Sequence, residues 1–211
     1  MTTDHEAPPE PASDEELFTE LANTLHLHDG EPDDIGDAAS LRAWLASRGL
    51  IRDGRRLEAV DAAIPAFHDL RALIHEVTER LVDAGAPSAA QVRRLNAVLR
   101  DGLHYHQLRP GDDGSRFTVG QVGDDLAQAR AAIAGSLAHY IADHDVARLR
   151  ICANNDCSWR FIDRSPTGRR RWCDMRTCGN RAKVARHRAR ARSSTTSSRN
   201  PPARPAVSSR Q

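Results

Sequence analysis

The stretch that decides the fold lies near the end of the chain, where residues 148–192 read RLRICANNDCSWRFIDRSPTGRRRWCDMRTCGNRAKVARHRARAR. It holds all four cysteines of the 211-residue chain, in two close-set pairs, Cys152-x4-Cys157 and Cys173-x4-Cys178, with 15 residues between the pairs. Four thiolates spaced in this way can surround one Zn²⁺ ion, which prefers sulfur ligands in a tetrahedron. Because four protein ligands leave no position for a substrate, the spacing predicts one structural zinc ion.

Two disulfides, or four unrelated buried thiols, are the alternative interpretation of these cysteines. Disulfides are typical of secreted proteins, whereas residues 1–11 are polar, acidic and rich in proline, unlike a signal peptide. No apolar run approaches the roughly 18 residues of a membrane span. We therefore expect a reducing, cytoplasmic location, with no membrane partner.

Short strands and tight turns are predicted around the cysteines. A strand covers about residues 148–152, Asn154 and its polar neighbours tolerate a turn that aims two sulfurs at one ion, and a second strand follows at Trp159 and Phe161. Trp159, Phe161 and Trp172 are expected to form a small apolar core over the zinc site, because so small a scaffold has little other packing. Stacking of these aromatics on nucleic-acid bases is the alternative.

A strongly basic segment follows Cys178 and contains no helix breaker before Ser193. At 100° per residue, Ala182, Ala185 and Ala189 form a narrow stripe that can pack, and basic residues flank it on both sides. Such a helix suits a polyanion, with arginines meeting phosphates and guanine edges in a major groove. A solvated basic tail that binds nothing specific is the alternative. The candidate nucleic-acid contacts are Asn180, Arg181, Lys183, Arg186, Arg188 and Arg190.

The first residues of this helix have two sets of possible roles. In the functional set, Gly179 permits a close backbone approach, Asn180 caps the helix or reads adenine, and Arg181 holds a phosphate at the helix N-terminus. In the structural set, Gly179 only shapes the zinc loop, and Asn180 and Arg181 hydrogen-bond to sulfurs or backbone carbonyls. The sequence gives the two sets equal weight.

Charge divides the chain sharply at Ala147, although the total is only +1. Residues 1–147 carry 13 Lys and Arg against 26 Asp and Glu, a net charge of −13, whereas residues 148–211 carry 17 against 3, a net charge of +14. A basic segment beside an acidic one is typical of a nucleic-acid-binding module attached to a domain that does not touch the nucleic acid.

Amphipathic helices are predicted through most of the acidic part of the chain. The first covers about residues 14–26 and starts with a capping box formed by Ser13 and Glu16. The second begins after Ser40 and stops at Gly49.

Two further helices are expected before the middle of the chain. A helical pattern over 57–64 should be interrupted or restarted at Pro65 and then continue to Gly85. Ser88 caps the next helix, which runs to about Arg100. The residues expected to face inward from that helix are Val92, Leu95, Val98 and Leu99.

The middle of the chain changes to a β pattern. Residues 104–108 and 116–119 flank a turn-rich loop and predict a β-hairpin, and a helix over about 123–146 then leads into the cysteine-rich segment with almost no linker. Such a rigid junction would allow a change in the first domain to reorient the second. The fold class is therefore a mainly α N-terminal domain with a small β-hairpin, followed by a small α+β zinc finger of short strands and a basic helix. The predicted divisions are a disordered tail at 1–12, the α-rich domain at 13–147, the finger at 148–192 and a second disordered tail at 193–211.

The two cysteine pairs, followed by Gly179-Asn180-Arg181 and the basic helix, resemble the CGNR zinc finger over about residues 149–192. The upstream region resembles the ABATE domain of bacterial stress-induced transcription regulators. That second resemblance rests on Leu21-Ala22-Asn23-Thr24, a Trp44-Leu45 pair, the Leu70-Arg71 helix and the hairpin. The family commonly has an aspartate and bulkier apolar residues before its Asn-Thr, where this chain has Glu20-Leu21-Ala22. The resemblance implies DNA binding by the finger.

The leading hypothesis is a zinc-dependent DNA-binding transcription regulator of bacteria, whose N-terminal domain senses a signal of unknown identity or forms a homodimer. An RNA-binding or ribosome-associated zinc module is the first alternative. A protein-interaction finger that docks on an acidic surface, including the chain's own N-terminal domain, is the second. The sequence shows no catalytic constellation, so no enzyme is expected. His104 and His106 could bind a metal, but two histidines without a third ligand are more typical of surface residues.

Overall fold

The computed structural model describes residues 16–26, 33–51, 60–111 and 116–197. In chain order the elements of these ranges are α1 (Leu17–Ala22), α2 (Ala38–Ser47), α3 (Val60–Ala84), α4 (Ala89–Asp101), β1 (Tyr105–Pro110), β2 (Phe117–Val122), α5 (Asp125–Asp143), β3 (Leu149–Ile151), β4 (Arg160–Ile162) and α6 (Asn180–Ser197). The predicted fold class is confirmed: a helix-rich N-terminal region with a two-stranded hairpin precedes short strands and a helix. The predicted tail at 1–12 and residues 198–211 of the second tail lie outside the described residues.

The first helix is shorter than predicted. α1 ends at Ala22, well before the expected end at His26. The hydroxyl of Thr24 donates to the Leu21 carbonyl (2.8 Å), and the Asn23 amide bonds to β4. Short polar side chains that bond to backbone in this way compete with helix continuation. Ser13 of the predicted capping box lies outside the described residues.

The second helix starts from a different cap than predicted. Asp37, not Ser40, is the N-cap: its carboxylate accepts from the Ser40 N–H (2.8 Å), and the Ser40 hydroxyl accepts from the Asp37 N–H (3.1 Å). This reciprocal capping box satisfies two N–H groups, whereas Ser40 alone would satisfy one. The predicted stop at Gly49 is confirmed, since Gly49 has φ +67° and its N–H donates to Ala46.

Pro65 does not interrupt the third helix, which is continuous through it. The side chain is exposed, so the ring points away from the core and only one intrahelical hydrogen bond is lost. Burial on the opposite face compensates, because Phe67, Leu70 and Ile74 are almost fully enclosed. The part of the predicted pattern at 57–59 lies outside the described residues.

The fourth helix begins as predicted, with Ser88 as N-cap in a reciprocal box with Gln91. Of the residues expected to face inward, Leu95 is buried and Val98 and Leu99 pack partly on the core. Val92 is 40% exposed, so the prediction is wrong there. α4 lies at the edge of the helical bundle, where only a narrow stripe of the helix meets α3 and α5.

The predicted hairpin is confirmed. β1 and β2 pair antiparallel, from Tyr105 opposite Val122 to Pro110 opposite Phe117. At its base, Gly102 packs so tightly on α5 that a methyl group there would overlap the side chain of Ala131. The hairpin is therefore held firmly where it leaves the helices.

One apolar core joins the N-terminal helices to the start of the finger. It is built on side chains such as Phe18 and Tyr140, whose rings lie 5.3 Å apart, and it includes Leu149 of β3, which is fully buried. Ile162 of β4 packs against the same cluster. Among the described helices, none combines the length and the apolar character that a membrane span requires.

The finger contains a two-stranded sheet and a long helix. β3 and β4 pair antiparallel, with Arg150 opposite Phe161. α6 continues to Ser197, so the expected end of the helix at Ser193 is wrong. Once a helix is nucleated, each added residue contributes a hydrogen bond, which lets it extend over the less favourable serines and threonines.

Candidate zinc centre and nucleic-acid interface

The four cysteines come together at one point. All four sulfurs lie within 4.8 Å of one another, and the Cys173 sulfur is 3.8 Å from that of Cys157 and 3.6 Å from that of Cys178. In a tetrahedron with Zn–S bonds of about 2.3 Å, the sulfurs stand about 3.8 Å apart. The donor set therefore fits one zinc ion. The separations rule out disulfides, in which the sulfurs are about 2.05 Å apart.

Backbone hydrogen bonds shape the loops that present the sulfurs. The Cys157 N–H donates to the Asn154 carbonyl (2.9 Å), which closes the first turn, and the Ala153 N–H donates to the Arg171 carbonyl (2.8 Å), which joins that turn to the second pair. The Asn154 amide also donates to the Cys178 sulfur (3.6 Å). A donor of this kind stabilises negative charge on a thiolate and fixes its orientation toward the metal.

In the absence of a metal ion, the buried cysteine thiols are in an unfavourable environment. Burial raises the pKa of the Cys157 thiol to about 11 and also raises the pKa of Cys173. Burial acts in the same direction on Cys178, but hydrogen bonds from Asn154 and from neighbouring cysteines outweigh it and lower that pKa. A divalent cation displaces the protons and neutralises the thiolates, so metal binding and folding of these loops are linked.

A buried carboxylate organises the loop between β4 and the second cysteine pair. Asp163 accepts from the N–H groups of Ser165 (3.0 Å) and Arg170 (2.7 Å), and the hydrogen bonds from Ser165 and Arg170 lower its pKa to about 2. Arg170 then covers Phe161 (5.0 Å to the ring centre) and donates to the Cys173 carbonyl (2.6 Å). These contacts direct the segment after Asp163 back to the zinc centre at Cys173.

The predicted aromatic core of the finger forms only in part. Trp172 packs on the cysteine cluster and Phe161 is half-buried, but Trp159 is 39% exposed, with its ring 6.3 Å from that of His26. The prediction is wrong for Trp159 because the finger takes part of its apolar packing from the N-terminal core, through Leu149.

Cys178 lies in a π-helical turn, Met175–Gly179, that runs directly into α6. The cap of this continuous helix is Asp174, whose carboxylate accepts from the N–H groups of Arg176 and Thr177 (3.2 Å to Thr177). A Cβ at Gly179 would stand 3.0 Å from the Met175 sulfur. Gly179 therefore lets the Met175 side chain approach its backbone within the zinc loop, which agrees with the structural one of its two predicted roles.

Asn180 does not cap the helix. It has helical backbone angles, and its amide donates to the Arg176 carbonyl one turn earlier (2.9 Å). Arg181 lies beyond this turn, so it is not at a helix N-terminus with free N–H groups, because Asp174 occupies that position. Arg181 instead lines a depression of about 300 Å³ beside the zinc centre, together with His26 and Trp159.

The remaining predicted contacts lie along α6, and all of them are exposed: Lys183, Arg186, Arg188 and Arg190. Lys183, Arg186 and Arg190 share one side of the helix, where they line a shallow depression of about 300 Å³ with His187. The predicted alanine stripe does not pack: Ala182 is half-buried, but Ala185 and Ala189 are exposed. α6 contacts the π-helical turn at its start and then leaves the body of the protein.

An asparagine side chain contributes to the attachment of the finger to the N-terminal domain. The Asn23 amide nitrogen donates to the Arg160 carbonyl (2.9 Å), and its oxygen accepts from the Arg160 N–H (2.8 Å). The side chain thus pairs with β4 as a neighbouring strand would. Both backbone groups are satisfied from a position 137 residues away in the chain.

The side chain of Arg160 makes the second half of this contact. It is 3% exposed, and its guanidinium reaches Glu79 (2.6 Å) and the Thr78 hydroxyl (3.3 Å) on α3. A buried guanidinium needs such partners, because an unpaired buried charge is costly. We call the contact made by Asn23, Thr78, Glu79 and Arg160 the finger clasp.

The end of α1 is itself held in place for this role. Arg71 donates to Thr24 (2.9 Å) and pairs with Asp33 through two short bonds (2.6 and 2.7 Å). His75 bonds to the Ala22 carbonyl (2.8 Å), and burial lowers the pKa of His75, so the neutral ring donates this bond. Asn23 therefore projects from a fixed turn.

Sequence reasoning did not identify Arg160, Asp163 or Asp174 as important residues. The available signal for Asp174 was an acidic residue four positions before Cys178 at the start of a helical segment. His104 and His106, which the sequence favours as surface residues over metal ligands, are both exposed, and their rings lie 6.0 Å apart edge to face. Within the described residues, the cysteines form the only group of three or more side chains able to hold a metal.

The fold and the site define a zinc-finger protein whose finger is joined to a helical N-terminal domain. A family model described as CGNR zinc finger matches residues 148–191. A second, ABATE, described as "Putative stress-induced transcription regulator", matches residues 15–144. Because that match covers more than half of the chain, the protein belongs to the ABATE family and carries a CGNR zinc finger. No curated protein matches the chain.

The family assignment agrees with the geometry of the metal centre. The four cysteines of this CGNR finger lie together and are consistent with one structural zinc ion. Both matched families are of non-enzymatic kinds.

Proposed function

We propose that the protein is a DNA-binding transcription regulator of the bacterial cytoplasm, associated with the nucleoid when bound, and that α6 is its contact with duplex DNA. The proposal rests on one observation: Lys183, Arg186 and Arg190 lie on the same side of α6, around one shallow depression. Basic side chains on an exposed helix match the spacing and charge of a phosphate backbone.

The position of α6 supports the proposal. The helix is anchored at the zinc centre through Cys178 and then extends away from the body, so both of its flanks are open to a large partner. The side chains of Lys183, Arg186, Arg188 and Arg190 are exposed. Arg188 lies on the opposite flank and would meet the other wall of a groove.

Zinc binding supplies the rigidity that such a contact requires. The metal fixes the π-helical turn from which α6 starts, and the finger clasp fixes the strand beside it. The N-terminal domain would therefore set the direction in which α6 leaves the protein. A signal that alters the clasp would alter the presentation of α6 to DNA.

A pocket at the junction is a suitable place for that signal to act. It has a volume of about 460 Å³ and is lined by Tyr140 of α5, by His144 just after α5, and from the finger by Arg148 and Arg164, among others. A ligand there would contact both parts of the protein at once. Arg148 is paired with Asp145 and Arg164 with Glu16, and Asp163 also lines the pocket, so its lining offers both signs of charge.

Binding of the full chain to duplex DNA at several salt concentrations tests the proposal. The variant K183A/R186A/R190A removes three candidate phosphate contacts, and R80A/R93A/R100A, in the N-terminal domain, removes the same charge elsewhere. We expect the first variant to flatten the slope of log affinity against log salt by about 3 and the control to leave it almost unchanged. Equal effects of the two variants would show that only overall charge matters.

Competition between duplex DNA and RNA separates the leading proposal from its main alternative. We expect duplex DNA to displace a bound DNA probe at a lower concentration than structured RNA of the same length. Preference for RNA would replace the DNA proposal with an RNA-binding module. No binding to either polyanion would favour a protein-interaction finger.

A further inference from the structure

The β1–β2 hairpin carries an unusual amount of exposed apolar surface. Every residue of β1 is exposed. Large apolar side chains in and beside the hairpin are 61–76% exposed: Leu103, Tyr105, Leu108, Phe117 and Val119. Full burial of one such side chain is worth about 1.5–3 kcal/mol, and a two-stranded hairpin alone is marginally stable in water. Its conformation is thus better explained if a partner covers it.

The two faces of the hairpin differ in charge. The strand register places Leu108 opposite Val119 and Pro110 opposite Phe117, on the face that also carries the pair His106 and Gln121. We call the four apolar residues of this face the apolar hairpin face. The only charged strand residue, Arg109, is on the other face, where its side chain lies over Gly120 and bonds to Gln107 (3.2 Å). The apolar hairpin face contains no charge.

We infer that the apolar hairpin face is a self-association surface, at which two copies of this chain pair about a two-fold axis. In such a contact the same surface patch lies on both copies, so a patch with charge of one sign would repel its counterpart. The halves of the chain carry net charges of −13 and +14, and surfaces dominated by either sign are unsuited to meeting themselves. The uncharged hairpin face meets its own copy without that penalty.

The position of the hairpin on the helical bundle is fixed, which suits a specific contact. Gly102 at its base packs directly on α5 at Ala131, so the strands project from the helical bundle at a set position. With six residues per strand, the face is about 20 Å long. A face of that length and two strands wide is smaller in area than the roughly 800 Å² per partner of a stable interface, so the dimer should be weak. The inference does not depend on DNA binding.

Sedimentation equilibrium of the full chain without DNA, from about 1 to about 500 µM, tests the inference. We expect a monomer–dimer equilibrium that L108E/V119E weakens at least tenfold. The control T118E changes the opposite face of the same strand and should leave the equilibrium within twofold of the parent. Both sets of changes are at exposed positions, and circular dichroism checks that the helical fold is retained.

Salt separates this dimer from one formed by opposite charges. Pairing through the apolar hairpin face should persist or strengthen as NaCl is raised from 50 to 500 mM. A dimer held by contact of α6 with the acidic domain of another copy would instead dissociate. A chain that stays monomeric at all concentrations would overturn the inference. A dimer that L108E/V119E leaves intact would also overturn it. The same holds if the parent chain is monomeric and L108E/V119E only weakens its binding to DNA.

Discussion

Asn23 shows how one side chain can take the place of a strand. Its amide satisfies both the N–H and the carbonyl of Arg160 at the start of β4. Arg71, Asp33 and His75 hold that turn. The Asn-Thr pair that resembles the family pattern therefore has a structural task here: it fixes the finger to the N-terminal domain.

Replacing Asn23 by alanine should weaken this attachment. Two partly buried backbone groups of Arg160 would lose their partners, at a cost of about 2 kcal/mol in the free energy of unfolding. Urea denaturation of the full, zinc-loaded chain measures the cost. Asn96→Ala, at an exposed position on α4, is the matched control and should change stability by less than about 0.5 kcal/mol. If the two variants are equally stable, the hydrogen bonds of Asn23 to Arg160 contribute nothing to folding.

At the scale of elements, local signals determined what could be predicted. The cysteine spacing predicted the metal centre, Ser88 predicted the start of α4, and turn residues predicted the hairpin, because each depends on neighbours in the sequence. Pro65 was misjudged because burial of α3 outweighs one lost hydrogen bond. Asp174 was missed because a π-helical turn, which the sequence does not mark, carries the helix across Cys178 into α6.

Removal of zinc should affect the finger far more than the helical domain. Because metal binding and folding of the cysteine loops are one event, we expect residues 152–180 to lose amide protection in strong chelator. Residues of α3 and α5, whose core is built mainly from helices, should keep most of theirs. Hydrogen exchange of the full chain, with and without chelator, measures both regions. Unchanged protection of the finger would contradict a structural role for the metal.

At the scale of the whole molecule, the two matched regions form one connected structure. Leu149 and Ile162 extend the N-terminal core into the finger, and the clasp adds an ion pair between the buried Arg160 and the exposed Glu79. The sequence indicated a short linker but not this shared core, because contacts such as Arg160 with Glu79 join residues 81 positions apart. The described parts of the acidic and basic regions on either side of Ala147 are thus joined by a shared core and by the finger clasp.

Selection from a random pool of duplex DNA by the full chain, with zinc bound and after its removal, tests the central claim most directly. If zinc holds the turn from which α6 contacts DNA, the zinc-bound protein should enrich fragments that share a short sequence, and the zinc-free protein should not. The variant K183A/R186A/R190A should also fail to enrich them with zinc present. Enrichment that is equally strong without zinc, or none in either state, would contradict a zinc-organised DNA-binding helix.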